Sequence, residues 1–302
     1  MKGAARMNKA PRIASLCPSN TEIVHALGLS KYLVAVDNYS DYPIHVVNKV
    51  PKVGPDLQID MDRLAALKPD LTLSSLSVPG MEKVVANAAS ANLTQIVLSP
   101  HSMTDIYNDM YRVAAAVPEV LSREDVDAVV NRLKHRVDRI QALTASLRHR
   151  PRLYWEWWMK PIFSPAKENW LTELSELAGA VNIFGDHPGD QVQDDGESVT
   201  EANPDYYLAV WTGVPQHKVP LTKLFAHGRL TETSMFLNKR VYVLSEGLYC
   251  RPSPRLIDGL EQLTQLLHPE IGARLQLEPA HKYGPIREWS GTWLGGRTPM
   301  DP

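Results

Sequence analysis

The residues best suited to chemistry concentrate in the run 154–158, YWEWW, where one carboxylate sits among four aromatic rings. Side chains alternate along a strand, so Trp155 and Trp157 would share one face and Glu156 and Trp158 the other. The rings cannot all enter the core unless Glu156 is buried with them or the strand ends inside the motif. Near a strand end, Trp157 and Trp158 would form flat, stiff walls for a large planar ligand; the competing reading is ordinary core packing. All seven tryptophans (Trp155, Trp157, Trp158, Trp170, Trp211, Trp289 and Trp293) lie beyond residue 150.

Two further stretches carry polar chemistry. The run 18–22, PSNTE, opens a helix whose unpaired N–H groups and positive dipole end suit a carboxylate, phosphate or amide. Ordinary capping by Asn20 or Thr21 accounts for the same letters. Asp194, Asp195 and Glu197 could hold a cation, but they lack the repeated spacing of a calcium site and read as a solvated acidic loop. The histidines His25, His45, His101, His187, His217 and His227 are scattered, and the sequence has no HExxH, GxSxG, GxGxxG, Walker A or paired-cysteine motif. Cys17 and Cys250 make neither a disulfide framework nor a metal motif. No catalytic residue, metal site or resident cofactor is expected.

Composition narrows the partners. With 32 basic and 34 acidic residues the formal charge is −2, so no global field draws in a nucleic acid. No apolar run of about 20 residues spans a membrane. The first ten residues, MKGAARMNKA, are basic but lack the apolar centre of a secretory signal. The chain is therefore extracytoplasmic if a signal has been removed, and cytoplasmic if Met1 is the native start.

The elements that must position these residues follow from periodicity. Arg12–Leu16, Leu33–Val36, the segment after Pro69 and Asp70, and 95–98 read as strands. They alternate with helices over Asn20–Leu27, Asp62–Leu67, Gly80–Ala89 and from Ser102 to Val117. The second half repeats the pattern: strands at Leu153–Trp158, Tyr206–Val210 and Arg240–Leu244, with helices at Trp170–Ala178, Ser198–Ala202, Leu221–Ala226 and Pro254–Leu267. The tail from Glu270 has no clean period. Such alternation predicts mostly parallel sheets covered on both faces, with binding loops beyond the carboxyl ends of the strands. Between the halves, Val126, Val129, Val130, Leu133, Val137, Ile140, Leu143 and Leu147 recur at helical spacing after a Ser122/Asp125 capping box. One amphipathic rod over Glu119–Arg150, about 40 Å long, would bridge an N-terminal α/β lobe at 1–118 and a C-terminal lobe at 151–302. The echo of LAALKPDLTL in VTEANPDYYLAV fits two related lobes.

PRIASLCPSNTEIVHALG, YSDYP, LKPDLTL and RPSPRLIDGLEQL together resemble the cobalamin-binding receptors of bacterial vitamin B12 importers, across about residues 11–268. They also resemble the wider substrate-binding family that serves iron–siderophores and haem. The resemblance implies an α/β fold of two Rossmann-like lobes joined by one long helix, with the ligand clasped between them. It implies a binding function with no enzymatic activity, and a corrinoid ligand handed to the permease subunits of an ABC importer. A monomer is expected.

Carried over residue by residue, the resemblance implies ligand contacts at Tyr42, Trp157 and Arg251. It places Glu82 and Glu197, one per lobe, against arginines of the permease. Tryptophans expected in the family near Val53, Leu76 and Gln191 are absent, with Trp158 and Trp211 as partial compensation. A haem or siderophore receptor is the near alternative. A cytoplasmic corrinoid-handling enzyme or salvage protein is the alternative from another class.

Overall fold

A computed structural model of the chain describes residues 10–224 and 229–294. Expectations that touch Ala226, His227, residues 1–9 or residues 295–302 lie outside the described residues, as does the side chain of Trp293. The chain divides into two compact units, Met1–Leu133 and Lys134–Pro302.

In the first unit, strands β1 (Ile13–Ser15), β2 (Leu33–Val36), β3 (Leu71–Ser75) and β4 (Gln95–Leu98) form a parallel sheet in the order β2-β1-β3-β4. Ile13 lies opposite both Leu33 and Leu71. Every residue of β3 is buried, including Thr72, Ser74 and Ser75, as a central strand covered on both faces is. Helices Pro18–Ala26, Met61–Ala66, Met81–Ser90 and Met103–Ala115 supply that cover. Ser102 and Asp105 close a capping box at the start of the last of these.

The second unit has three sheet strands in parallel with β10 at their centre. They are β5 (Arg152–Glu156), β10 (Tyr206–Ala209) and β11 (Val241–Val243), and the short β8 (Val181–Asn182) extends the parallel set beyond β5. A separate antiparallel sheet is made by β6 (Trp158–Met159), β7 (Ile162–Pro165) and β9 (Gln191–Asp194). The acidic loop thus contains a strand that its composition conceals. Asp194 and Asp195 accept from the backbone N–H groups of Gly196 and Glu197 at 2.6 and 2.9 Å, shaping the turn that follows.

The tail corrects the sequence reading. It forms helices Pro269–Leu275 and Ala280–Tyr283, and then β12 (Arg287–Trp289) adds antiparallel to β11 and β13 (Trp293–Leu294) antiparallel to β12. A strand reading REW has no apolar alternation to announce it. Arg287 is buried by donating to the carbonyls of Gln216 and Val219 at 3.0 and 2.9 Å, while Trp289 stacks on Phe236 with ring centroids 4.2 Å apart. The helix expected from Leu221 is only a single turn, Leu221–Lys223. The helix expected from Pro254 begins at Leu256, with Ser253 Oγ accepting from Arg255 N at 3.2 Å.

A long helix, Arg123–Thr144, runs from the first unit into the second. The fold is therefore the expected two-lobed α/β arrangement with one long linking helix. Its 22 residues span about 33 Å, shorter than the apolar period suggested. Ser122 and Asp125 cap its start reciprocally at 3.0 and 3.1 Å. At its end, Thr144 Oγ1 bonds both Ile140 O and Leu177 O, and Leu147 N turns back to Thr144 O. The chain thus leaves the helix six residues before Pro151 can break it. The first half buries Val126, Val130 and Leu133, and Tyr111 donates to Asp127 at 2.6 Å. In the second half Arg136 spans Asp258 and Glu261, each at 2.7 Å.

Close packing at Gly259 gives a test of the second unit. A Cβ built there would lie 2.6 Å from Leu248 O and 3.2 Å from the Tyr249 ring. Gly259→Ala should gain about 1 kcal/mol of helix propensity but lose more to overpacking against immobile backbone, typically 1–3 kcal/mol. Urea unfolding should show a net loss; a gain would mean that the neighbouring helix yields freely.

Candidate functional site

Parallel sheets present their loops at the carboxyl ends of the strands, and the candidate residues gather there within each lobe. In the first lobe, Asp37 follows β2 directly and is wholly buried. It accepts from Tyr39 N at 2.7 Å and Ser40 N at 3.1 Å, and also from the Ser40 hydroxyl. Ser40 Oγ bonds Thr21 Oγ1 at 2.7 Å, Thr21 donates to Ser15 Oγ at 2.8 Å, and Lys52 Nζ donates to Ser40 O at 2.6 Å. Burial pushes the Asp37 carboxyl up to about 6, even though bonds from Ser40 and Tyr39 pull it down.

This network fixes the YSDYP loop. Tyr39 stands 56% exposed and Tyr42 36%, with the Tyr42 ring edge-on to His25 at 5.5 Å. Leu76, just past β3, is 39% exposed, so the position where the family resemblance expected a tryptophan is accessible but aliphatic. Val53, the other such position, is wholly buried.

The PSNTE stretch departs from both expectations. Its helix begins at Pro18 with Cys17 as cap and no side-chain capping bond. Asn20 Nδ2 instead donates to Ser74 O at 3.0 Å, and Thr21 joins the Ser15–Ser40 chain. Residues from Ser19 to Val24 are buried, so the first turn is not open to an anion. Cys17 is a free thiol, pushed up to about 11 by burial.

In the second lobe β5 ends at Glu156, inside YWEWW, which frees the next residues from strand alternation. Trp155 is buried and donates to Ser175 Oγ at 2.9 Å. Trp157 is half-buried and packs on Trp170 at 5.9 Å; its Nε1 is buried and unpaired. Trp158, 41% exposed, leans on the buried ring of Trp211 with centroids 5.8 Å apart. The structure therefore brings Trp158 and Trp211 together, and joins Trp157 to Trp170 instead. Arg251 is buried and ion-paired with Glu246.

Glu156 is the residue that sequence reasoning treated only as an obstacle. It is wholly buried, accepting from Tyr154 OH at 2.7 Å and from Trp211 Nε1 at 2.9 Å. Burial pushes its carboxyl up to about 7, against the lowering effect of Tyr207, Tyr154 and Trp211.

Glu82 and Glu197 are both exposed in the first turn of a helix, Met81–Ser90 and Glu197–Ala202. Each helix starts from a left-handed glycine, Gly80 at φ 100° and Gly196 at φ 98°, where a side chain would strain the backbone. Among the described residues no group of three or more His, Cys, Asp or Glu side chains could hold a metal.

Comparison with known proteins adds to this geometry. The family described as periplasmic binding protein matches residues 13–247. An uncharacterised ABC transporter substrate-binding lipoprotein of Bacillus subtilis is 29% identical over 87% of this chain and 82% of its own. The vitamin B12-binding protein of Pectobacterium atrosepticum is 27% identical over 89% of this chain and 91% of its own. The crystal structure of the periplasmic vitamin B12 binding protein of Vibrio cholerae superposes with a TM-score of 0.70 at 26% identity. That match covers 88% of this chain and 98% of the other.

The Asp37 network carries a pH signature. The folded carboxyl holds its proton up to about 6, whereas the unfolded one releases it near 3.8. Its contribution to stability is therefore complete below 3.8 and lost as the pH rises through about 6. The shift corresponds to roughly 3 kcal/mol. Urea unfolding from pH 3.5 upward should show wild type losing stability relative to Asp37→Asn within that window. Parallel curves would contradict the assignment.

Proposed function

This chain belongs to the periplasmic binding protein family, and on that premise we propose that it captures a corrinoid, cobalamin foremost, for delivery to an ABC importer. The family and its fold are non-catalytic, typically work outside the cytoplasm, and pair with ABC transporter permease components. Delivery of a small ligand such as a corrinoid, haem or siderophore follows from that membership. The choice of cobalamin is ours.

One observation carries it: a tryptophan, 41% exposed, backed by a buried one at the carboxyl end of a parallel sheet. Such a surface suits a broad, flat, largely apolar macrocycle better than a sugar or an amino acid. The exposed Tyr39, Tyr42 and Leu76 of the first lobe have the same character. The resemblance to two vitamin B12-binding proteins, at 27% and 26% identity, points to the same ligand. A second reading, haem, draws on the exposed phenols of Tyr39 and Tyr42, since tyrosine can serve as an axial ligand to iron.

We assign Glu82 and Glu197 to docking on the permease. Exposed carboxylates at rigid helix starts orient a partner and speed association more than they tighten binding. Arg251, engaged by Glu246, would act on ligand only at the rim of that ion pair.

Two measurements test this reading. Absorption titrations with cobalamin, haemin and a ferric siderophore should give saturable binding of cobalamin, which Trp158→Ala weakens about tenfold or more and Trp157→Ala weakens less. Tighter binding of haemin, lost in Tyr42→Phe, would favour the second reading. The double reversal Glu82→Lys and Glu197→Lys should leave cobalamin affinity unchanged while abolishing capture by the reconstituted importer at physiological salt. Equal capture would leave both as ordinary surface residues.

A further inference from the structure

A carboxyl without water access is costly unless each oxygen finds a donor. Glu156 meets this with two aromatic donors from different elements: Tyr154 on its own strand and Trp211 just past β10. The strand ends are also tied through the backbone, Val210 N to Glu156 O at 2.9 Å and Thr212 N to Trp157 O at 3.2 Å. Trp211 has one polar atom, and that atom is held by Glu156. Its ring in turn is the surface on which Trp158 leans, at an interplanar angle of 51°. Removing the carboxyl would leave the indole N–H buried and unpaired, and core packing alone to hold the ring.

We propose that Glu156 is a positioning residue for ligand binding, fixing Trp211 and through it the exposed ring of Trp158, so that the aromatic wall of the second lobe is set before ligand arrives. This rests on the reading of that wall as a binding surface. A ligand meeting a pre-set wall loses less binding energy to side-chain ordering.

The carboxyl also makes the wall responsive to pH. The groups acting on it are Tyr154 on β5 and Tyr207 on β10, with Trp211 beyond β10; Asp194 on β9 acts on Tyr154. The buried Tyr207 hydroxyl makes no complete hydrogen bond, though it is near enough to lower the Glu156 pKa. Ionised, Glu156 accepts from Tyr154 and Trp211 and its charge strengthens the Trp211 bond; protonated, it gives that charge up. The wall should therefore be held more firmly as pH rises through about 7.

The test needs a readout independent of ligand. Two indoles 5.8 Å apart should give a coupled near-ultraviolet circular dichroism signal, identified by its loss in Trp158→Phe. We expect that signal to strengthen through a midpoint near pH 7 in wild type, and to collapse in Glu156→Leu. Glu156→Gln, which keeps an oxygen for Trp211, should restore the signal without the titration. Cobalamin affinity should fall about tenfold in Glu156→Leu and recover largely in Glu156→Gln. If Glu156→Leu does not fold, Glu156→Gln decides the matter: a titration near pH 7 that persists in Glu156→Gln overturns the proposal. An unchanged signal overturns the proposal, and so does a lost signal with unchanged affinity. Should wild type bind none of the candidate ligands, the functional reading fails and the proposed role in ligand binding falls with it, while the dichroism still reports whether Glu156 orders the indole pair.

Discussion

A carboxyl sealed from water must receive its hydrogen bonds from the protein, and each lobe meets that demand at the carboxyl end of a parallel strand. Asp37 collects two backbone N–H groups and a hydroxyl from the loop it anchors. Glu156 collects a phenol from its own strand and an indole from the surface it supports. Both carboxyls are raised by burial, to about 6 and about 7, so both cost stability at neutral pH. An apolar residue would pack there at lower cost but could not orient amides or an indole. Geometry is gained at the strand ends, where binding loops belong, in exchange for stability.

The long helix works under a related constraint. A polar-flanked helix of 22 residues is stable in a protein through the faces it buries rather than through its propensity alone. Its first half buries valines and a leucine in the first unit; its second half adds the partly buried Arg136, shared by two carboxylates of the helix Leu256–Leu267. The pair satisfies the guanidinium from two sides, as a partly buried cation requires. One element is thus held in both units by a buried apolar face, Val126, Val130 and Leu133 in the first and Val137 and Ile140 in the second, where the Arg136 ion pairs are added.

The sequence made most of this architecture legible, because long periodic segments are governed by burial. Capping boxes at Ser102 and Ser122, the buried runs of β1 to β3 and the bridging helix all follow from local rules. What escaped is equally physical. Tertiary bonds took Asn20 and Thr21 away from capping, since Ser74 O and Ser40 Oγ were nearer partners than their own helix. Strands β9 and β12 carry charged residues whose strand geometry comes from a neighbour rather than from alternation. At the candidate site, YWEWW was visible as a concentration of rings. Only the end of β5 at Glu156 sorted core from surface among them. Asp37 was missed although the letters DNYS, an acid opening a turn straight after an apolar strand, are the local signal for an anchored loop.

The two glutamates assigned to docking differ in one respect that bears on how such a surface works. Glu82 is the second residue of its helix and folds back, its Oε2 accepting from Gly80 N at 2.8 Å. That bond already sets its charge against the positive helix end. Glu197 is the first residue of its helix; its backbone N–H is bonded to Asp195, and among the described residues its carboxylate has no hydrogen-bond partner. An arginine approaching Glu82 must share or displace an existing bond, whereas at Glu197 it meets a fully solvated carboxylate. The net gain from a new ion pair is small when it replaces another favourable contact and larger when it replaces only water that the partner also sheds. Docking through these residues would therefore be unequal between the lobes, with Glu82 fixing orientation through its pre-set rotamer and Glu197 supplying more of the attraction.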